Sequence, residues 1–159
     1  MKMNCNFSKR SKAFRDGLKF IIDEEDYNKF VKDNSFCLSK YGYVRSGKHK
    51  YLHRLIMNAP DDKQVDHING DKLDNQKSNL RICTHQENSM NVGKQKNNTS
   101  GFKGVTFDKH AQKFQAQIVI DGKKKYLGLF EKAEDAFKAY CQAGKKHHGD
   151  FFNSGGDEN

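Results

Sequence analysis

Nine consecutive residues without an apolar side chain, Gly93 to Gly101, divide this 159-residue chain into parts with different hydrophobic periods. Beyond the break the period is two. Val105 and Phe107 alternate with Gly104 and Thr106, and Phe114, Ala116, Ile118 and Ile120 alternate with Lys113, Gln115, Gln117 and Val119. After an Asp121-Gly122 turn, Lys125, Leu127 and Leu129 alternate with Lys124, Tyr126 and Gly128. Successive strand residues point to opposite faces, so this pattern predicts three half-buried antiparallel strands. Ala133, Ala136, Phe137, Tyr140 and Ala143 then recur at helical spacing and predict one helix over the apolar face. The opposite face of the sheet is left with Lys, Gln, Thr and Tyr.

Before the break the elements are shorter and mixed. Residues 1–18 are polar and basic and read as a loose arm. Lys19-Phe20-Ile21-Ile22 predicts a short strand, and Asp23 to Asp33 a helix whose four leading acids suit the positive end of its dipole. Phe36 to Arg45 and Lys50 to Leu52 are expected to pair across a Ser46-Gly47 turn. Leu52 to Met57 is either a short helix or the end of that hairpin, and Pro60 stops it. Val65 to Ile68 predicts a strand closed by the Asn69-Gly70 turn signal, and Leu80 to Cys83 its returning partner. Thr84-His85-Gln86-Glu87 fits a capping box, so a helix should begin at residue 85. The division expected is therefore an arm over 1–18, a first domain over 19–92, a linker over 93–100, a second domain over 101–153 and a tail over 154–159. The fold class is α+β.

Charge narrows the class of partner. The chain carries 29 Lys and Arg against 20 Asp and Glu, a net charge of +9. Residues 94–153 hold 12 basic and 6 acidic residues, so the surplus is concentrated in the second domain. That is the footprint of a polyanion-binding surface. Cys5, Cys37, Cys83 and Cys141 lie far apart with no C-x-x-C pair, which argues against a zinc site built from them and against a disulfide framework. The basic N-terminus lacks an apolar signal segment, and no run is long enough to span a bilayer. A soluble, cytoplasmic protein is expected.

Chemistry is concentrated between residues 65 and 88. Val65-Asp66-His67-Ile68-Asn69-Gly70-Asp71 is followed, 12 residues after its histidine, by Asn79-Leu80-Arg81 and then by Asn88. Asp66 supplies a charged oxygen, His67 an imidazole and Asn88 a neutral oxygen, a set able to surround one hard cation and one water. On a flat strand Asp66 and His67 would face opposite ways. They can share a site only where the chain bends at the Asn-Gly turn.

The segment from Tyr51-Leu52-His53-Arg54-Leu55 through Asp66-His67-Ile68-Asn69-Gly70-Asp71, Asn75, Asn79-Leu80-Arg81 and Thr84 to Asn88 resembles the HNH endonucleases, and within them the phage and intron-borne homing group. The resemblance implies a ββα-metal core. It makes His67 the general base, Asp66 and Asn88 the metal ligands, and Asn79 a brace across the loop that orients the histidine. Asn88 stands where the family's final histidine would be, which favours Mg²⁺ or Mn²⁺ over Zn²⁺ because amide and carboxylate oxygens are hard ligands. Arg54 and Arg81 are candidate phosphate contacts, and His53 is expected to be a structural hydrogen-bonding residue.

Residues 99–153 resemble an AP2-type DNA-binding domain. The resemblance rests on Ser100-Gly101-Phe102-Lys103-Gly104-Val105, Phe114-Gln115-Ala116-Gln117-Ile118, Tyr126-Leu127-Gly128-Leu129-Phe130, Ala133-Glu134-Asp135-Ala136, Ala139-Tyr140 and Gly149-Asp150-Phe151-Phe152-Asn153. It implies a three-stranded sheet in the major groove, backed by one helix, with DNA contacts from Lys103, Thr106, Lys113, Gln117, Lys124 and Tyr126. Thr106, Asp108 and Val119 stand where guanine-reading arginines would be, so Gln115 or Gln117 to adenine is the expected base contact. The whole chain then reads as a site-specific endonuclease on double-stranded DNA in a bacterial or phage-infected cell. It is expected to be a monomer that nicks, or a dimer if both strands are cut. The rival is a DNA-binding regulator with a degenerate nuclease core. An RNA-binding module would need paired stacking aromatics on the sheet, which this sequence lacks.

Overall fold

A computed structural model describes residues 2–6, 19–34, 36–46, 50–95 and 97–155. The chain separates into two compact units, residues 1–85 and 86–159. Small antiparallel sheets and short helices make it a mixed α and β protein.

In the first unit, β1 (Lys2–Asn6) pairs antiparallel with β2 (Lys19–Asp23). Residues 2–6 thus form a strand where a loose arm is expected. The rest of that arm, 7–18, lies outside the described residues. Helix α1 (Glu24–Asp26) continues as a π-helical turn over Tyr27–Val31. β3 (Phe36–Leu38) and β4 (Val44–Ser46) then form a hairpin of their own. Its turn is closed by the Gly42 amide on the Ser39 carbonyl at 2.9 Å, with Gly42 at φ 84°. The Phe36–Arg45 run therefore folds back on itself, a turn that the expected single strand did not contain. A further bridge joins Arg45 to Tyr51.

Helix α2 (Leu52–Met57) ends at Asn58 in the left-handed conformation, just before Pro60. β5 (Gln64–His67) and β6 (Leu80–Cys83) pair in register Val65 to Ile82, Asp66 to Arg81 and His67 to Leu80. Strand β2 also holds the loop between them. The Ile21 amide donates to the Leu73 carbonyl and the Asn75 amide to the Ile21 carbonyl, each at 2.8 Å. Phe20, Ile22, Phe36, Val44, Leu52, Ile56, Val65 and Leu80 form one buried cluster, so α2 and strands β2 to β6 share a single small core.

Helix α3 (His85–Met90) begins where the capping box places it. In the second unit, β7 (Val105–Asp108), β8 (Lys113–Ile120) and β9 (Lys123–Phe130) form a meander, and α4 (Ala133–His148) covers one face. Val105, Ala116, Ile118, Ala136, Phe137 and Tyr140 make its core. Two glycines set how closely the layers pack. A Cβ on Gly104 would lie 2.1 Å from the Tyr140 ring, and one on Gly144 2.0 Å from that of Phe152. A β-bulge alters the predicted facing of β9. Gly128 pairs with Ala116 and Tyr126 with Gln117, leaving Leu127 as the extra residue. Leu129 is consequently opposite Gln115 and 40% exposed rather than in the core, while Phe130 packs inward.

Candidate functional site

His67 is the last residue of β5, and the chain turns immediately after it. The Gly70 amide donates to the His67 carbonyl at 2.8 Å, with Gly70 at φ 75°, a conformation glycine adopts without strain. Asn79 spans this turn from the far side. Its Oδ1 accepts from the Asn69 amide at 3.0 Å, and its Nδ2 donates to Asn69 Oδ1 at 3.0 Å and to the Asp74 carbonyl at 2.8 Å. The loop is locked further by Asp71 Oδ1 on the Leu73 amide and Asp23 Oδ2 on the Lys77 amide, both at 2.9 Å. The backbone carrying His67 is therefore held from both ends of the loop.

The imidazole of His67 sits among other rings. His53 of α2 lies edge-on to it at 5.1 Å between centroids, and Tyr43 at 5.9 Å. Tyr43 also touches His53 at 5.1 Å, and Tyr51 stacks on His53 at 5.5 Å. Both histidines are buried, His53 at 6% and His67 at 4% exposure. Burial penalises the imidazolium, so both are held below their ordinary value. His53 is pushed down to about 3, by burial first and then by the neighbouring His67 and Arg54. His67 is lowered by burial against the opposing pull of the Asn75 side chain and of Asp66, Asp71 and Asp74. At neutral pH both rings are uncharged. Nδ1 of His53 and Oδ1 of Asn75 are buried without a hydrogen-bond partner among the described residues.

Asp66 is cross-strand from Arg81, and the guanidinium grips it through Nε at 2.8 Å and Nη2 at 2.7 Å, both on Oδ2. The strand alternation therefore gives Asp66 and His67 different contacts. Their electrostatics remain joined, because the negative charge of Asp66 favours the protonated forms of His67 and Tyr43 alike. Arg81 is thus a carboxylate partner here. Arg54 is occupied as well, donating to the carbonyls of Lys63 and Pro60 at 2.7 Å each, which fixes the loop after α2. Asn88 stands on α3, within the second unit. Among the described residues no three His, Cys, Asp or Glu side chains gather at one point.

Tyr43 and Asn75 belong to the ring cluster's surroundings without having been singled out for a role by the sequence. Asn75 is fully buried in a loop of otherwise polar character. Its one trace in the sequence is its place in the stretch that resembles the HNH endonucleases, which gave it no role. Tyr43 follows Gly42 just before β4, where nothing distinguishes it from an ordinary strand aromatic.

In the second unit the strand register gives Thr106, Lys113, Gln115, Gln117, Lys124 and Tyr126 one common sheet face, opposite α4. Tyr126 is 58% exposed. Lys113 pairs with Glu131 at 2.8 Å. Lys103 differs from the rest: its ammonium donates to the carbonyls of Asn153 at 2.7 Å and Met90 at 3.2 Å. Burial lowers it to about 8. Among the described residues no helix is long and apolar enough to cross a membrane.

Comparison with known proteins points the same way for the first unit's loop and strands. Residues 50–90 match the model of the HNH endonuclease family. Over 65 residues, 41% of its length, the chain is 35% identical to protein 3.8 of Escherichia phage T7. Over 129 residues, 76% of its length, it is 34% identical to an uncharacterised HNH endonuclease of Acanthamoeba polyphaga mimivirus. The aligned stretches span 54% of the phage protein and 66% of the mimivirus protein, so both relatives extend beyond what this chain matches. No solved structure matches the chain. Residues 50–90, which contain Asp66, His67, Asn79 and Asn88, are thus the part of the chain that is similar to the HNH endonuclease family.

Proposed function

We propose that the chain is a metal-dependent, site-specific DNA endonuclease of the homing kind, which nicks DNA to leave 5′-phosphate and 3′-hydroxyl ends. The observation that supports this most directly is the state of His67: buried, uncharged at neutral pH and fixed by a braced turn. A general base must be unprotonated at the working pH and held in place. His67 takes the proton from the attacking water, and Asn79 keeps the turn that carries it. His53 and Tyr43 confine the imidazole to one orientation.

The donor set fits a hard divalent ion. Asp66 offers a carboxylate and Asn88 an amide oxygen, and Mg²⁺ or Mn²⁺ characteristically takes one or two such ligands and completes its shell with phosphate and water. When bound, the ion supplies positive charge to the scissile phosphate and the leaving 3′ oxygen. Arg81, holding Asp66 through Oδ2, orients the carboxylate for that role.

The second unit is read as the DNA-recognition module, similar to an AP2-type domain. Its candidate contacts are Thr106, Lys113, Gln115, Gln117, Lys124 and Tyr126, with glutamine to adenine the expected base contact and lysines positioning the backbone. Lys103, also a candidate contact, holds two backbone carbonyls through its ammonium. Incubating supercoiled plasmid with the protein and Mg²⁺ should give nicked circles, and EDTA should abolish them. Plasmid that is bound and left uncut under both conditions would make the chain a DNA-binding regulator instead.

A further inference from the structure

The second unit contains a cavity of about 490 Å³, within the roughly 300–1,000 Å³ typical of small-ligand sites. One side is the 89–99 segment, which contributes Thr99, and another is the sheet, which contributes Thr106, Gln117 and Lys124. Lys103 and His148 also line it. The charge of the lining is one-sided. In a chain with 20 acidic residues, not one Asp or Glu is among the lining residues, while two lysines are. Two of the three N–H groups of Lys103 are spent on carbonyls, so a third is left to donate.

His148 adds an acceptor. Its Nε2 lies 2.8 Å from the Val119 carbonyl and so donates to it, which makes Nδ1 the acceptor of that tautomer. Nδ1 is buried without a hydrogen-bond partner among the described residues. A buried acceptor left unmatched costs free energy that a donor on a ligand would recover. The lining thus combines cations, an amide, hydroxyls, an unmatched acceptor and apolar surface that includes Ile118. That combination matches a phosphate joined to a flat heterocycle with an amino group.

We propose that this cavity is a nucleotide site, taking one phosphate against Lys103 and Lys124 and its base against Gln117 and His148. The nucleotide is either one unit of a DNA strand or a free mononucleotide, and the strand form rests on the DNA reading above. As a strand site it would grip an unpaired or extruded nucleotide beside the sheet face that reads the duplex, since a base still stacked in a duplex does not enter a pocket.

The test uses the full chain in EDTA, so that nothing is cut. Binding of dAMP is followed by calorimetry, and binding of a fluorescein-labelled single-stranded 12-mer and of a duplex by anisotropy. Thr99→Trp fills the cavity from an exposed position, and Lys124→Gln removes a cation, with circular dichroism confirming that each variant folds. Loss of dAMP or single-strand affinity by tenfold or more in both variants is the expected result. Weakened 12-mer binding assigns the site to a strand, and weakened dAMP binding alone assigns it to a free nucleotide. Undetectable dAMP binding together with unchanged 12-mer affinity in both variants overturns the proposal. In that case Gln115→Ala, which lies outside the cavity, separates the two ideas: weakened duplex binding keeps the sheet-face reading, and a wild-type chain that binds no DNA removes both.

Discussion

Replacing His53 with phenylalanine removes one titrating group from the ring cluster while keeping a flat side chain of similar size. The folded value of His53 is about 3, far below the 6.5 of an unburied imidazole. As pH falls, the unfolded chain therefore binds a proton that the folded chain refuses. Stability is fully present above about pH 6.5 and is lost progressively as pH falls toward about 3. Each unit between the pH and the unfolded pKa is worth about 1.4 kcal/mol, so His53 alone removes about 2 kcal/mol at pH 5. His67, lowered in the same direction, adds to that loss. Hydrogen exchange of peptides covering Leu52–Met57 and Gln64–His67, corrected for intrinsic rates, reads the local free energy at pH 7 and pH 5. Wild type should lose at least about 2 kcal/mol between the two, and His53→Phe about 2 kcal/mol less than wild type. Equal acid sensitivity in both proteins would refute the burial argument.

Asn79→Ala removes three hydrogen bonds that close the loop after β5, at about 1 kcal/mol each. It should lower the urea midpoint of the first unit by the equivalent of about 2–3 kcal/mol and cut turnover more than DNA affinity. Gly104→Ala forces a methyl into the Tyr140 ring at a backbone φ of +75°. A loss of about 2–4 kcal/mol in the second unit is expected by denaturant titration, whereas a neutral result would contradict the packing described for that layer. If about four phosphates are neutralised, the slope of log K on log salt should be about −3.6. A salt-independent affinity would remove the lysine face from the DNA contact.

The parts of the fold that the sequence revealed are those set by short-range rules. Helix α3 starts at His85 because Thr84 to Glu87 form a capping pattern, and β5 ends at His67 because Asn69-Gly70 demands a turn. The meander of β7, β8 and β9 follows from strict alternation, up to the point where one extra residue at Leu127 resets the phase. A bulge of this kind leaves only a glycine as its trace, here Gly128 at φ 137°. Strand β1 was hidden because Lys2-Met3-Asn4-Cys5-Asn6 contains no β-branched or aromatic residue to signal a strand. The ring cluster was hidden for a different reason. Tyr43, His53 and His67 come from three separate stretches of the chain, and only the folded chain brings them within 6 Å of one another. Arg81 shows the same limit, since its register opposite Asp66 decides that it holds a carboxylate.

The central claim is that His67 activates the attacking water, and single-turnover cleavage by His67→Ala tests it most directly. Wild type and variant are compared in Mg²⁺ on the same DNA, at protein concentrations that anisotropy shows to be saturating. The account predicts a rate lower by about 10²–10⁴-fold with DNA affinity retained. A variant that binds and cuts at the wild-type rate would contradict it.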